Sequence, residues 1–248
     1  MNLAICFWGL NRSIEYTIES LEANIFTPLR QAGINYSIFA HMMTLTRPYT
    51  NPRADEHNVF LKQTTWKHLP TEHSIVENQD TVDKTLQLKQ YTSQPDPYSQ
   101  DISDGYTPYT SVFNSIRALY SMDYVTRLWE TSGQQFDAVV YVRPDVRLLS
   151  RLQPEWFEHL MPNTVYCPNF HLIDNCNDRF AFGIPKVMSI YGHRISGALN
   201  YSKHFPFHSE RFLAHTMKQS SISIQHVPIA FLRVRAGGKV HKEDMNII

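Results

Sequence analysis

The stretch that decides the fold is Phe136-Asp137-Ala138-Val139-Val140-Tyr141-Val142-Arg143-Pro144-Asp145-Val146-Arg147-Leu148-Leu149. Its apolar run is β-branched or aromatic at Val139, Val140, Tyr141 and Val142, which suits a strand buried on both faces. Pro144 cannot donate to a central ladder, so the strand ends there. Arg143 and Asp145 then fall at its carboxyl edge, the edge on which open α/β sheets bind ligands. A cation and a carboxylate at that edge suit a phosphate and a metal ion, or else close the strand as an ordinary ion pair.

Working outward, residues 3–8 predict a first strand, broken by Gly9, Asn11 and Arg12. Ser13 is placed to cap a helix in which Ile14, Ile18 and Leu21 recur at helical spacing, and Gly33 stops it. Residues 36–40 predict a second strand ending at His41. Strand, helix and strand in so short a span make a βαβ unit with a parallel pair. On the other side, residues 111–130 carry Val112, Ile116, Leu119 and Val125 on one face of an amphipathic helix that feeds the opening strand. Further on, 154–160, 186–191 and 210–217 predict helices, the last with Ser209 as N-cap, and 164–167, 222–227 and 230–234 predict strands. Residues 45–108 are rich in proline and polar residues and lack sustained periodicity, apart from a short strand at 74–76. They read as a loop-rich insertion or lid on a single domain spanning 1–248.

The 248 residues hold 23 Lys and Arg against 23 Asp and Glu, which speaks against nucleic-acid or membrane binding by bulk positive charge. No run approaches the roughly 20 apolar residues of a membrane span. The N-terminus lacks the basic region of a signal peptide, and three cysteines, Cys6, Cys167 and Cys176, imply no disulfide framework. A cytoplasmic protein is expected. No phosphate loop, nucleophile elbow or zinc motif occurs, and none of the 12 histidines has a convincing metal-ligand spacing.

Four blocks together resemble short GT-A-type glycosyltransferases of viruses, bacteria and plants. They are Trp8-Gly9-Leu10-Asn11-Arg12, Ser37-Ile38-Phe39-Ala40-His41, residues 136–146, and Asn177-Asp178-Arg179-Phe180-Ala181-Phe182-Gly183 with a later Ser209-Glu210 helix start. The resemblance implies a Rossmann-like nucleotide-sugar fold with a mostly parallel sheet flanked by helices. It also implies a nucleoside-diphosphate sugar as donor and a glycan or glycoconjugate hydroxyl as acceptor. Gly9, Arg12, Arg143 and Asp145 would bind the donor. Mn²⁺ or Mg²⁺ would be held by Asp145, with His241 as a second ligand. Asp178 or Glu210 would be the base. Where many members have Asp-x-Asp this chain has Arg143-Pro144-Asp145, which opens a metal-free alternative in which Arg143 neutralises the diphosphate. A nucleotidyltransferase would want a Gly-rich basic loop after the first strand, and a non-catalytic nucleotide- or carbohydrate-binding module is the third possibility.

Overall fold

In a computed structural model the chain is described for residues 1–71, 73–99 and 106–247, so part of the expected insertion, residues 72 and 100–105, lies outside the described residues. In chain order the elements are β1 (Asn2–Leu10), α1 (Ile14–Leu21), α2 (Thr27–Gln31), β2 (Asn35–Thr44), β3 (Tyr49–Asn51), β4 (Glu56–Val59), β5 (His73–Asn78), α3 (Gln79–Leu86), α4 (Thr110–Glu130), β6 (Ala138–Val142), β7 (Val146–Leu148), β8 (Thr164–Pro168), β9 (Phe180–Gly183), α5 (Pro185–Gly192), α6 (Ile195–His204), α7 (Ser209–Gln219), β10 (Ser223–Val227) and β11 (Phe231–Arg233). Seven strands form one sheet in the order β10-β8-β9-β6-β1-β2-β5. Four of its neighbouring pairs are parallel; β9 alone runs against its neighbours β6 and β8. The fold is therefore α/β, with a mostly parallel Rossmann-like sheet.

Alternation along the central strands builds both cores. Leu3, Ile5 and Phe7 of β1 and Ala138, Val140 and Val142 of β6 pack against Ile14, Leu21, Ile25 and Phe26 on one face. Ala4, Cys6 and Trp8, with Val139 and Tyr141, pack on the other against Met122, Val125 and Trp129 of α4 and Tyr191 of α5. Each large side chain buried this way contributes about 1.5–3 kcal/mol, so a one-residue slip would cost the whole set at once. The first helix continues into α2 through a π turn at Glu22–Phe26, where Pro28 removes one helical donor. The Asn24 carbonyl is used instead by the Leu152 amide, at 2.8 Å. All three cysteines are free buried thiols, and no described helix is long and apolar enough to cross a membrane.

Several sequence expectations change here. The second strand runs on through His41 to Thr44, because His41 is wholly buried and satisfied by Ser121 and Glu77. The stretch 45–108 is not merely peripheral: β5 pairs in parallel with β2 as the sheet edge. Residues 154–160 supply only a 3₁₀ turn at Pro154–Phe157, and α6 appears where no helix was expected. Ser209 does not cap α7 but is its first residue, after an N-cap at His208.

Close approach of α5 to α4 and β6 depends on Gly192. A Cβ there would lie 2.0 Å from Thr126 Oγ1 and 2.5 Å from the Tyr141 hydroxyl. Those two atoms bond each other at 2.6 Å, and Trp129 Nε1 donates to the same hydroxyl at 3.1 Å. Gly192→Ala should therefore lower stability by about 1–3 kcal/mol. A guanidinium chloride unfolding midpoint equal to that of the wild type would contradict it.

Candidate functional site

Strand β1 leads by α1 to β2 on one side, while β6 lies on its other side, so the sheet order reverses between β1 and β6. Their carboxyl ends flank a crevice, as the topology of open α/β sheets requires. A cleft of about 820 Å³ opens there. Gly9, Arg12, Arg143, Asp145, Asp178, Glu210 and His241 all line it, so every candidate residue from the sequence shares one cavity. Parallel neighbouring strands were expected to bring Asp178 and Arg179 to this edge; they arrive instead because β9 is antiparallel and begins there. The Arg143 amide donates to the Arg179 carbonyl at 3.0 Å, fixing the two segments together.

Asp145 is the hub. Arg143 forks onto it, Nε to Oδ1 at 2.7 Å and Nη2 to Oδ2 at 2.8 Å. Arg12 Nη2 donates to Oδ2, and Arg235 Nη1 stands 3.9 Å from the same oxygen. Arg235 is brought there by β11, which pairs antiparallel with β7, the strand directly after Asp145. Arg12 also meets Glu56 Oε2 at 3.0 Å, and Glu56 Oε1 accepts from the Ala236 amide at 2.7 Å. Burial alone would raise the Asp145 carboxyl, but Arg143, Arg12 and Arg235 outweigh it and hold it well below the usual carboxylate range. Burial and the neighbouring Arg12 together disfavour the charge on Arg235.

A second polar centre lies beside the first. Ser209 Oγ is 2.7 Å from Asp178 Oδ2 and 2.8 Å from Glu210 Oε2; its single proton serves one carboxylate at a time. Arg179 Nη1 is 3.4 Å from Asp178 and 3.3 Å from Glu210. His208 Nδ1 stands 3.2 Å from Glu210 Oε2, its ring stacked on Tyr98 at 5.0 Å between centroids. Burial would raise the Glu210 carboxyl, but His208, Arg179 and Ser209 hold it far below its ordinary value. Both Glu210 oxygens are thus engaged, whereas Asp178 Oδ1 is buried without a hydrogen bond.

Among the described residues ten arginines or lysines line the cleft against four aspartates and glutamates, in a chain with 23 of each sign over its whole length. Seven buried side-chain polar atoms lack a hydrogen-bond partner among the described residues, and six of them belong to cleft-lining residues: Trp8, Arg12, Asp178, Arg194, His208 and Arg235. Buried polar groups are normally paired, so this concentration sets the lining of the cleft apart from the rest of the described residues. Arg194, His208 and Arg235 carry no motif and were missed in the sequence; only the structure brings them to the cleft. By contrast, Ser121, His41 and Glu77 form a hydroxyl–imidazole–carboxylate chain with both links at 2.8 Å. Ser121 and His41 are fully buried, and Ser121 also bonds the Gly9 amide and the His41 carbonyl, so this chain is structural.

The donor set at Asp145 does not suit a divalent metal. Both oxygens already take guanidinium N–H groups, and each arginine about 4 Å from a dication would repel it by about 8 kcal/mol at an effective dielectric of 20. No cluster of three or more His, Cys, Asp or Glu placed to hold a metal ion occurs among the described residues. His241 instead lies beside Arg233 and Arg235, and burial with those two cations lowers it to about 4. The chain matches no protein-family model and no curated protein sequence.

These shifts fix the acid response. His241, Glu210 and Asp145 are all lowered from unfolded values of 6.5, 4.5 and 3.8, so the unfolded chain binds more protons in mild acid. Their stabilisation is present above the unfolded values and is lost as pH falls, first through His241 between 6.5 and about 4, then through the carboxylates. His193 acts oppositely: burial would lower it, but Asp123 and Glu130 raise it, so its contribution is complete below 6.5. Melting temperature followed from pH 8 to pH 3 should fall in two stages, and His241→Gln should flatten only the upper one. A single drop confined to pH below 4 would overturn that assignment.

Proposed function

We propose that the cleft binds the diphosphate of a sugar nucleotide and that the chain is a GT-A-type glycosyltransferase working without a divalent metal. The observation that carries this is the Asp145-centred group of Arg12, Arg143 and Arg235 at the β1/β6 switch point. Cationic forks held rigid by a buried carboxylate are suited to a diphosphate, which guanidinium groups bind through paired N–H donors. Their positive charge stabilises the nucleoside diphosphate as it leaves, the role a metal serves in many such sites. Gly9, with φ at +113° and open space where a Cβ would stand, lets the backbone approach the ligand closely.

For direct displacement, the acceptor oxygen bonds to the anomeric carbon and the bond from that carbon to the diphosphate oxygen breaks. The electron pair leaves with the diphosphate, and the hydroxyl proton passes to a carboxylate. Asp178 is the less committed of the two acids, because its Oδ1 faces only Arg179, at 3.4 Å, whereas Glu210 meets Arg179, Ser209 and His208. Glu210 then serves to hold Arg179, Ser209 and His208 in place.

Calorimetric titration with UDP, GDP, ADP and CDP in excess EDTA should show one of them binding, with affinity unchanged when Mn²⁺ replaces EDTA. Arg143→Met should weaken that nucleotide about ten- to hundredfold, as expected for a lost charged fork. Binding that appears only with Mn²⁺ would overturn the metal-free proposal, and no binding by any nucleotide would overturn the transferase itself. Asp178→Asn should leave nucleotide affinity within twofold and reduce sugar transfer about 10²–10⁴-fold. Full transfer by that variant would remove Asp178 from the reaction.

A further inference from the structure

A second hollow, of about 260 Å³, lies beside the cleft, between the end of α6 and one face of α7. On α7 it is lined by Arg211, His215 and Lys218, which share a face and span about 10 Å of the helix. Tyr201 of α6 and its C-cap residue Phe205, four positions on, face them. Asp174 joins from the loop after β8, its carboxylate 3.9 Å from Arg211, with both side chains more than half exposed. Phe205 and Phe207 flank a proline; Phe207 is buried, whereas Phe205 is 48% exposed. The Phe205 ring is nonetheless held, its centroid 5.1 Å from Tyr201 and 5.8 Å from His215. An aromatic ring that is both held and open is a preorganised contact surface.

The ring geometry decides what fits. Phe205 is tilted 34° to Tyr201 and 50° to His215, and Tyr201 is tilted 60° to His215, so the three make no parallel slot for a flat nucleobase. Their faces carry negative potential and suit the electropositive C–H groups of a puckered sugar ring. Asp174, Arg211 and Lys218 supply acceptors and donors for its hydroxyls. A purely apolar partner segment would desolvate those charges without pairing them. The hollow also continues the cleft. Arg211 lines both and directly follows Glu210, and the cleft residues Leu172 and Ile173 lead into Asp174. A glycan whose end reaches the Asp178–Glu210 centre can therefore extend along α7. Resting on the transferase proposal, we infer that this α6–α7 hollow is an acceptor subsite for a sugar ring set back from the reacting hydroxyl, so that the acceptor is an oligosaccharide or the glycan of a glycoconjugate and not a single sugar.

Labelled wild-type protein, saturated with whichever of UDP, GDP, ADP and CDP it binds, should be applied to an array of immobilised oligosaccharides and their constituent monosaccharides. Oligosaccharides should be retained and the monosaccharides not. Phe205→Ala should weaken that retention about tenfold or more, with melting temperature and nucleoside diphosphate affinity unchanged, since the ring is half exposed and lies outside the cleft. Phe205→Trp keeps an aromatic face and should restore retention. Retention that Phe205→Ala leaves unchanged, equal retention of monosaccharides, or no retention at all would overturn this inference, while the nucleotide affinity measured beforehand keeps the transferase proposal standing. A dimer in analytical ultracentrifugation that dissociates in Phe205→Ala would assign the hollow to a second copy of the chain and overturn the inference likewise. Absence of all nucleotide binding would overturn the transferase proposal and, with it, the acceptor role.

Discussion

One buried carboxylate shared among three guanidinium groups organises this molecule. Asp145 is 3% exposed and sits where the wholly buried β6 gives way to β7, so the central strand sets its position. Around it converge Arg12 from the end of β1, Arg143 from the end of β6 and Arg235 from beyond β11. Removing the carboxylate would leave several like charges with little water to screen them. Keeping it leaves the group short of negative charge, because three cations meet Asp145 and Glu56 only. That surplus is what an anionic ligand would neutralise, so the same interaction that closes the fold leaves it receptive.

The surplus is affordable because it is confined. The chain as a whole carries 23 cations and 23 acids, so the ten cations and four acids that face the cleft among the described residues leave the rest of the molecule net acidic. Low-dielectric walls that include Trp8 and Tyr98 strengthen each interaction inside. Arg143 sits 5.2 Å from the Trp8 ring centroid, and Arg53 4.4 Å from that of Tyr98, so aromatic faces share in holding the guanidinium groups. The antiparallel β9 completes the arrangement by turning the start of a strand, with Asp178 and Arg179, toward the edge where its neighbours end.

Much of this was legible in the residues. The apolar run closed by Pro144, the break at Gly9 and Arg12, and the long helix before β6 follow from periodicity and backbone chemistry, and they place the switch point correctly. The direction of β9 was not legible, since four consecutive buried residues look the same in either sense. Nor was the membership of β5: its edge position leaves none of its residues fully buried, so it lacks the apolar run of a central strand. Arg194, His208 and Arg235 were invisible for a different reason. Each owes its significance to a neighbour distant in sequence, Met122, Tyr98 and Asp145 respectively, and local pattern carries no trace of such pairs.

Proximity of reactive side chains does not by itself distinguish a site from a strut. Ser121, His41 and Glu77 have the spacing of a nucleophile, a base and its orienting acid, yet each hydrogen-bonding atom in the link is occupied and the hydroxyl is sealed. Ser209, Asp178, Glu210 and His208 are no better aligned, but their residues line an open cleft, and Asp178 Oδ1 and His208 Nδ1 have only ion-pair neighbours, Arg179 and Glu210, without a hydrogen bond. The first group repays its burial within the protein. The second, together with Arg12, Arg194, Arg235 and Trp8, keeps buried polar atoms without a hydrogen bond among the described residues. Unspent hydrogen-bonding capacity, more than the catalogue of side chains, therefore identifies the working face of this chain.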